Sequence, residues 1–126
     1  MAACPCGSKK TYSNCCEPYH LWQTYPQSAE QLMRSRYSAY VMKLEDYLIK
    51  TWAESTRPSE IAFEENIEWL KLRIVKVKQG HAEDQKGMVF FKAFYLAEGE
   101  KGVMSEKSQF IRDDAGRWVY LSGDVS

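Results

Sequence analysis

The chain has 126 residues, 44% of them hydrophobic and 13% aromatic, which is long enough to bury one core and too apolar for disorder. Its 17 Lys and Arg against 17 Asp and Glu give a formal net charge of zero, without the basic excess that a general nucleic-acid or membrane-surface binder carries. No apolar run reaches membrane-spanning length and no apolar signal segment follows Met1, so no membrane partner and a cytoplasmic, reducing setting are expected.

All four cysteines fall in the first sixteen residues, as Cys4-Pro5-Cys6, eight intervening residues, then Cys15-Cys16. No regular secondary structure needs this pattern, whereas a tetrahedral thiophilic ion does, because it needs two chelating arms joined by a short loop. Pro5 favours extended backbone at Cys4, so both sulfurs of the first arm can point to one side, and Gly7 permits a sharp turn after it. Zinc is the expected ion, with cobalt able to replace it in vitro. Four thiolates around a divalent ion leave a charge of about minus two, which Lys9 and Lys10 in the loop can offset. Two disulfides or four free thiols are the alternatives; neighbouring Cys15 and Cys16 are poorly placed to bridge each other. His20, four residues after Cys16, could lie on the same helical face and replace a cysteine as ligand, or be a cap or surface residue.

Tyr25-Pro26-Gln27 reads as a linker, which places an amino-terminal metal element at residues 1–24 and a second unit at 25–126. Ser28 with Gln31 forms a capping box for a helix to Met42, with Ala29, Leu32, Met33, Tyr37, Tyr40 and Val41 at helical spacing. A second helix runs from Leu44 to Trp52, and Pro58-Ser59 opens a short third one. After Glu68 the period becomes two. Leu70, Leu72 and Ile74 alternate with charges, as do Val75 and Val77 one register later, so a bulge is expected at Ile74-Val75. Met88 to Leu96 is apolar on both faces, as a strand covered on two sides would be. Val103 to Arg112 forms a third strand, and Asp113-Asp114-Ala115-Gly116 turns into a fourth, Trp118 to Leu121. The order is helices, then a four-stranded antiparallel meander: an α+β fold.

In the third strand Met104, Glu106, Ser108 and Phe110 share a face, so Glu106 and Ser108 point inward if Phe110 does. A buried carboxylate needs a partner. Arg36 lies within the apolar stripe of the long helix, and an Arg36–Glu106 ion pair would satisfy both charges. Such a pair could floor a ligand pocket with Tyr37, Tyr40, Ser108, Phe110 and Trp118. It could equally be a structural pair, or Glu106 could reach solvent. His81 reads as a solvated turn residue, and Asp113-Asp114 as turn chemistry rather than a catalytic dyad.

The stretch CPCGSKKTYSNCCEPYH resembles the SEC-C motif, a small zinc-binding element best known at the carboxyl terminus of the SecA translocation ATPase. Gln31 to Met42, Asp46 to Trp52, Arg57-Pro58 and Gly116 to Asp124 resemble the uncharacterised YchJ family (UPF0225). The resemblance covers nearly the whole chain. It implies a SEC-C zinc element on an NTF2-like (cystatin-like) cone of helices packed on a curved sheet, with Cys4, Cys6, Cys15 and Cys16 as ligands and no established activity. Many members of that family carry a second SEC-C copy, whereas no cysteine follows Cys16 in this sequence. The function expected is a binding or adaptor module that meets a protein partner through the zinc element. The competitor is a small-ligand binder or an enzyme of dehydratase or isomerase type that uses the cone, for which neither histidine falls on an inward strand position. RNA binding through the zinc knuckle, Lys9, Lys10 and the Lys71–Lys78 stripe is the least favoured reading.

Overall fold

The computed structural model describes residues 3–125. A one-turn 3-10 helix (Tyr12–Asn14) is followed by α1 (Glu17–His20), α2 (Ala29–Met42), α3 (Glu45–Lys50), β1 (Ile67–Gln79), β2 (Lys86–Ala97), β3 (Glu100–Arg112) and β4 (Trp118–Val125). The four strands form one antiparallel meander in the order β1-β2-β3-β4, so the architecture is α+β, with the sheet curled around α2. No helix among the described residues is long and apolar enough to cross a membrane.

α2 starts where expected. Ser28 accepts a hydrogen bond from the Gln31 amide at 3.2 Å, and the Gln31 side chain reaches back to the Gln27 amide at 2.7 Å. The Gln31 amide is one that a helix start leaves without a partner, and another, that of Ala29, donates to the Gly80 carbonyl at 2.9 Å. Leu32, Met33 and Tyr37 then enter one core with Leu72 of β1, Val89, Phe91 and Ala93 of β2, Phe110 of β3 and Trp118 of β4.

The sheet bends at bulges. The β1–β2 register shifts at Ile74/Lys76, as the change of alternation predicts, and again at Trp69/Lys71. The extra residues, Val75 and Leu70, are pushed out to 48% and 43% exposure, which keeps Trp69, Leu72, Ile74 and Val77 on the inner face. A third shift, opposite Gln109/Phe110, bends the β3–β4 edge. At the β1–β2 turn the chain closes tightly on α2: a Cβ on Gly80, whose φ is +79°, would lie 2.7 Å from the Ala29 Cβ.

Three expectations are corrected. The second helix ends at Lys50 rather than Trp52, because the Thr51 carbonyl accepts the Tyr120 amide and the Ala53 amide donates to the Tyr120 carbonyl. No helix follows Pro58: the Glu45 carboxylate captures the Ile61 amide at 2.8 Å, and Ile61 and Phe63 pack extended, with period two, beside Ala39, Tyr47 and Leu48. Finally, β2 is covered on one face only. Met88, Phe90 and Phe94 on its other face stay half-buried, and the Lys71 ammonium lies 4.9 Å from the Phe94 ring centre.

Candidate functional site

The cysteine element is a knot against the outer face of α2. Ala3 bridges Thr11, the Cys4 amide donates to the Lys10 carbonyl at 2.9 Å, and Gly7 (φ +80°) and Lys9 (φ +71°) turn the loop between them. The second arm follows through the 3-10 turn, which delivers Cys15 and Cys16 to the same point. The four sulfurs all lie within 4.8 Å of one another, with Cys6–Cys15 at 3.5 Å and Cys15–Cys16 at 3.9 Å. A tetrahedral site with metal–sulfur bonds near 2.3 Å has sulfur–sulfur edges of about 3.8 Å, so the donor set fits such an ion. Cys4, Cys6 and Cys16 are buried and Cys15 is half-buried.

The electrostatics gather negative charge on this sulfur cluster. A hydrogen bond from Cys16, helped by the Ser8 hydroxyl and amide, holds the Cys6 thiol down to about 4. Cys16 is pushed up, first by that hydrogen bond to Cys6 and then by burial, while burial leads the rise at Cys15. Without an ion the cluster thus favours a single thiolate, and an ion that takes all four sulfurs must displace the protons of the raised thiols, which makes its binding release protons and depend on pH.

Helix α2 supplies the anchorage, which the hydrophobic stripe does not reveal. The Arg34 guanidinium donates to the Cys6 carbonyl at 2.7 Å and pairs with Glu30 at 3.1 Å. The Ser38 hydroxyl lies 3.4 Å from the Cys16 sulfur and 3.5 Å from that of Cys4. His20 straps the element to the helix. Its Nε2 donates to the Ser35 carbonyl at 2.9 Å, and its Nδ1 accepts from the Tyr12 hydroxyl at 2.7 Å. Both ring nitrogens are thus engaged away from the sulfurs, and burial lowers the imidazole's pKa. The sequence signal for this interface is Ser35 and Ser38, small residues at i and i+3 that let another segment lie close to the helix, while Ala39 beside them packs on Tyr47 and Leu48 of α3. The cysteine element therefore shares an interior with α2.

On the opposite face of α2 a cavity of about 200 Å³ opens between helix and sheet. Arg36, Tyr37, Tyr40, Glu106 and Ser108 line it, joined by Trp69, Met104 and Tyr120. Phe110 is fully buried beneath, packed on Tyr120 with ring centres 5.8 Å apart, and does not line it. Trp118 is also outside: it is held by its indole N–H to the Gln27 carbonyl and faces a separate cleft.

Arg36 and Glu106 are not an ion pair. Among the described residues the one salt bridge is Arg34–Glu30. Arg36 is 3% exposed, donates to the Leu48 carbonyl (2.8 Å) and Thr51 hydroxyl (2.7 Å), and lies 5.1 and 4.8 Å from the ring centres of Trp52 and Tyr120. Carbonyl, hydroxyl and π-faces thus do the work expected of a carboxylate, and burial lowers the guanidinium's pKa. Glu106 instead accepts from the Ser108 and Tyr120 hydroxyls. Its carboxylate lies over Gly123, where a Cβ would collide with it. Among the other candidates, Asp113 accepts the Ala115 and Arg117 amides within its turn, and His81 is exposed.

The sequence matches the model of a family described as YchJ, middle NTF2-like domain, over residues 28–123, and that of the SEC-C motif over residues 2–18. It is 42% identical to a UPF0225 protein of Corynebacterium efficiens, over 98% of this chain and 93% of the relative. It is 41% identical to a UPF0225 protein of Vibrio vulnificus, over 97% of this chain and 74% of the relative. The fold is similar to the solution structure of a SEC-C motif containing protein from Rhodopseudomonas palustris, with TM-score 0.84, 33% identity and 96% coverage of both chains. A crystal structure of a SEC-C motif containing protein from Psychrobacter arcticus gives TM-score 0.78 and 26% identity over 98% of this chain and 82% of that one.

Proposed function

Because this chain belongs to the UPF0225 (YchJ) family and brings four thiols to one point, we propose that it is a cytoplasmic zinc protein whose SEC-C ion is structural. In this reading the folded chain works as an adaptor that meets a protein partner. The observation that carries the zinc assignment is the convergence of four sulfurs within 4.8 Å, on edges that fit a tetrahedron. A zinc ion held by four thiolates supplies a closed cross-link and no open position for substrate, so it would fix the amino-terminal loop on α2 rather than catalyse. What supports a docking role is the outward edge of the element, where Gly7, Lys9, Lys10, Ser13 and Asn14 are exposed.

Elemental analysis of protein expressed without added metal tests the first part: one zinc per chain is expected, lost in Cys16→Ala and kept in His20→Ala. A zinc content near zero with titratable disulfides would sink it. For the docking role, Lys9→Glu with Lys10→Glu should reduce capture of an identified partner while the zinc stays. Unchanged capture would refute a role for that edge.

A second reading, small-ligand binding in the cavity, is favoured by Arg36. A guanidinium 3% exposed, which donates to Leu48 and Thr51 through one terminal nitrogen, borders a space that also holds the Glu106 carboxylate. Catalysis has less support, since neither His20 nor His81 lines that space to act as a base. Fragment screening by NMR should give hits that Glu106→Gln abolishes; hits untouched by the change would exclude this site.

A further inference from the structure

A second concavity, of about 360 Å³, lies where the linker after α1 meets α3 and the β3–β4 hairpin. Its volume is within the range of small-molecule sites. Trp22 and Tyr25 come from the linker, Lys50 from the end of α3, Arg57 from the following loop, and Arg117 and Trp118 from the hairpin and β4. In a chain with no net charge, three cations gather here, and none forms a salt bridge among the described residues. The Arg117 guanidinium lies 4.1 Å from the Tyr25 ring centre and the Lys50 ammonium 5.9 Å from that of Trp22, while Arg57 donates to the Trp52 carbonyl through Nε (3.0 Å) and Nη2 (2.7 Å), which leaves Nη1 to face a ligand. Asp113, the acidic residue of the lining, has one carboxylate oxygen committed to the two turn amides.

Trp22 adds an independent observation. α1 ends with the Trp22 amide on the Tyr19 carbonyl (3.1 Å) and the Gln23 amide on the Pro18 carbonyl (2.9 Å), a pair of bonds that sets one residue in the left-handed region. That residue is Trp22, at φ +60°, where glycine is the ordinary occupant. The indole is 39% exposed beside the cleft, with its ring centre 5.2 Å from that of Tyr47. The chain thus accepts an unfavourable backbone to hold a flat aromatic surface next to unpaired cations.

We propose that this cleft binds a mononucleotide-class ligand: a planar ring stacked on Trp22, with its phosphate held by Lys50, Arg57 and Arg117, the last positioned by the Tyr25 ring. Guanidinium and ammonium groups suit a phosphate dianion, and aromatic faces accept any base without reading its edge. A free mononucleotide fits better than a strand. The cleft is bounded, and strand binding relies on a run of phosphate contacts that leaves a steep salt dependence. The site is distinct from the sulfur cluster and from the cavity under α2.

Isothermal titration of the full chain with AMP, CMP, adenosine and inorganic phosphate tests the assignment. Both mononucleotides should saturate one site, with adenosine and phosphate each weaker by about 10-fold or more, since each lacks half of the contacts. Lys50→Gln and Arg117→Gln should each weaken AMP by about 10-fold, the scale of one charge-assisted hydrogen bond. Trp22→Gly should weaken it similarly while the protein stays folded, because glycine accepts the left-handed backbone; Arg117→Gln on the exposed hairpin provides the same check should Trp22→Gly fail to fold. The proposal is overturned if neither nucleotide saturates at millimolar concentration, if phosphate alone binds as tightly as AMP, if the charge variants leave affinity unchanged, or if a single-stranded oligonucleotide binds much more tightly than AMP with a steep salt dependence.

Discussion

Removing the metal should destabilise the whole fold and not the amino-terminal loop alone. Two separate interiors would let the NTF2-like domain survive untouched, but Ser35 and Ser38 of α2 are fully buried, and the element supplies partners on that side of the helix. If the knot opens, the Arg34 bond to the Cys6 carbonyl goes, at about 1.5–3 kcal/mol for a charged donor, and so does the His20 bond to the Ser35 carbonyl, at about 1 kcal/mol. The loss is about 2.5–4 kcal/mol before any change in apolar burial, which for a domain of this size lowers the melting temperature by roughly 10–20 °C. Tryptophan fluorescence of a variant with Trp22, Trp52 and Trp69 changed to Phe, which leaves Trp118 as the one tryptophan, reports the packing on the far side of α2 during melts with and without a strong chelator. Cys16→Ala supplies the same state without chelator. A Trp118 transition that stays within about 2 °C of the untreated protein while zinc is released would refute the shared interior.

Four shorter predictions follow from named contacts. His20→Ala should keep the metal but cost about 1–2 kcal/mol in chemical denaturation, because the Ser35 carbonyl and Tyr12 hydroxyl lose their partner; metal loss would mean that the imidazole is a ligand. Gly80→Ala should destabilise by more than about 1 kcal/mol, since the new Cβ meets Ala29 and the backbone is left-handed, and an unchanged denaturation midpoint would contradict the close turn. Arg36→Met should cost about 2–4 kcal/mol through the Leu48 and Thr51 bonds. Combining Thr51→Val with Arg36→Met should then show coupling of at least about 0.5 kcal/mol, whereas strict additivity would argue against that bond.

Local signals carried most of the fold. Ser28 and Gln31 announce the start of α2, and the break in alternation at Ile74-Val75 locates one bulge, because both depend on neighbours in sequence. The second bulge, at Leu70, was hidden: Leu70, Leu72 and Ile74 alternate without fault, and only pairing with β2 shows that Trp69 belongs on the inner face. The carboxylate partner drawn for Arg36 failed for a related reason. A charge in an apolar stripe implies some compensation, but the carbonyl of Leu48, the hydroxyl of Thr51 and two rings become available only once α3 stops at Lys50 and the chain turns to β4. The sulfur cluster was legible because its four cysteines are close in sequence, whereas its anchors Arg34 and Ser38 were not.

What joins these observations is the rotation of one helix. Successive residues of α2 advance by about 100°, so Met33, Arg36, Tyr37 and Tyr40 fall on the face toward the sheet, while Arg34, Ser35 and Ser38 fall toward the sulfur knot. A helix apolar on the first face alone would leave its second face to water, yet Ser35, Ser38 and Ala39 are fully buried. Small side chains there allow close approach, and the Ser38 hydroxyl offers the sulfurs hydrogen bonds that alanine could not, while that of Ser35 serves the Leu32 carbonyl and the Tyr47 hydroxyl. The knot and the cavity therefore lie back to back on a single rigid element. A displacement of α2 on the tightly packed knot side must be taken up on the other, where the cavity leaves Arg36, Tyr37 and Tyr40 space to move.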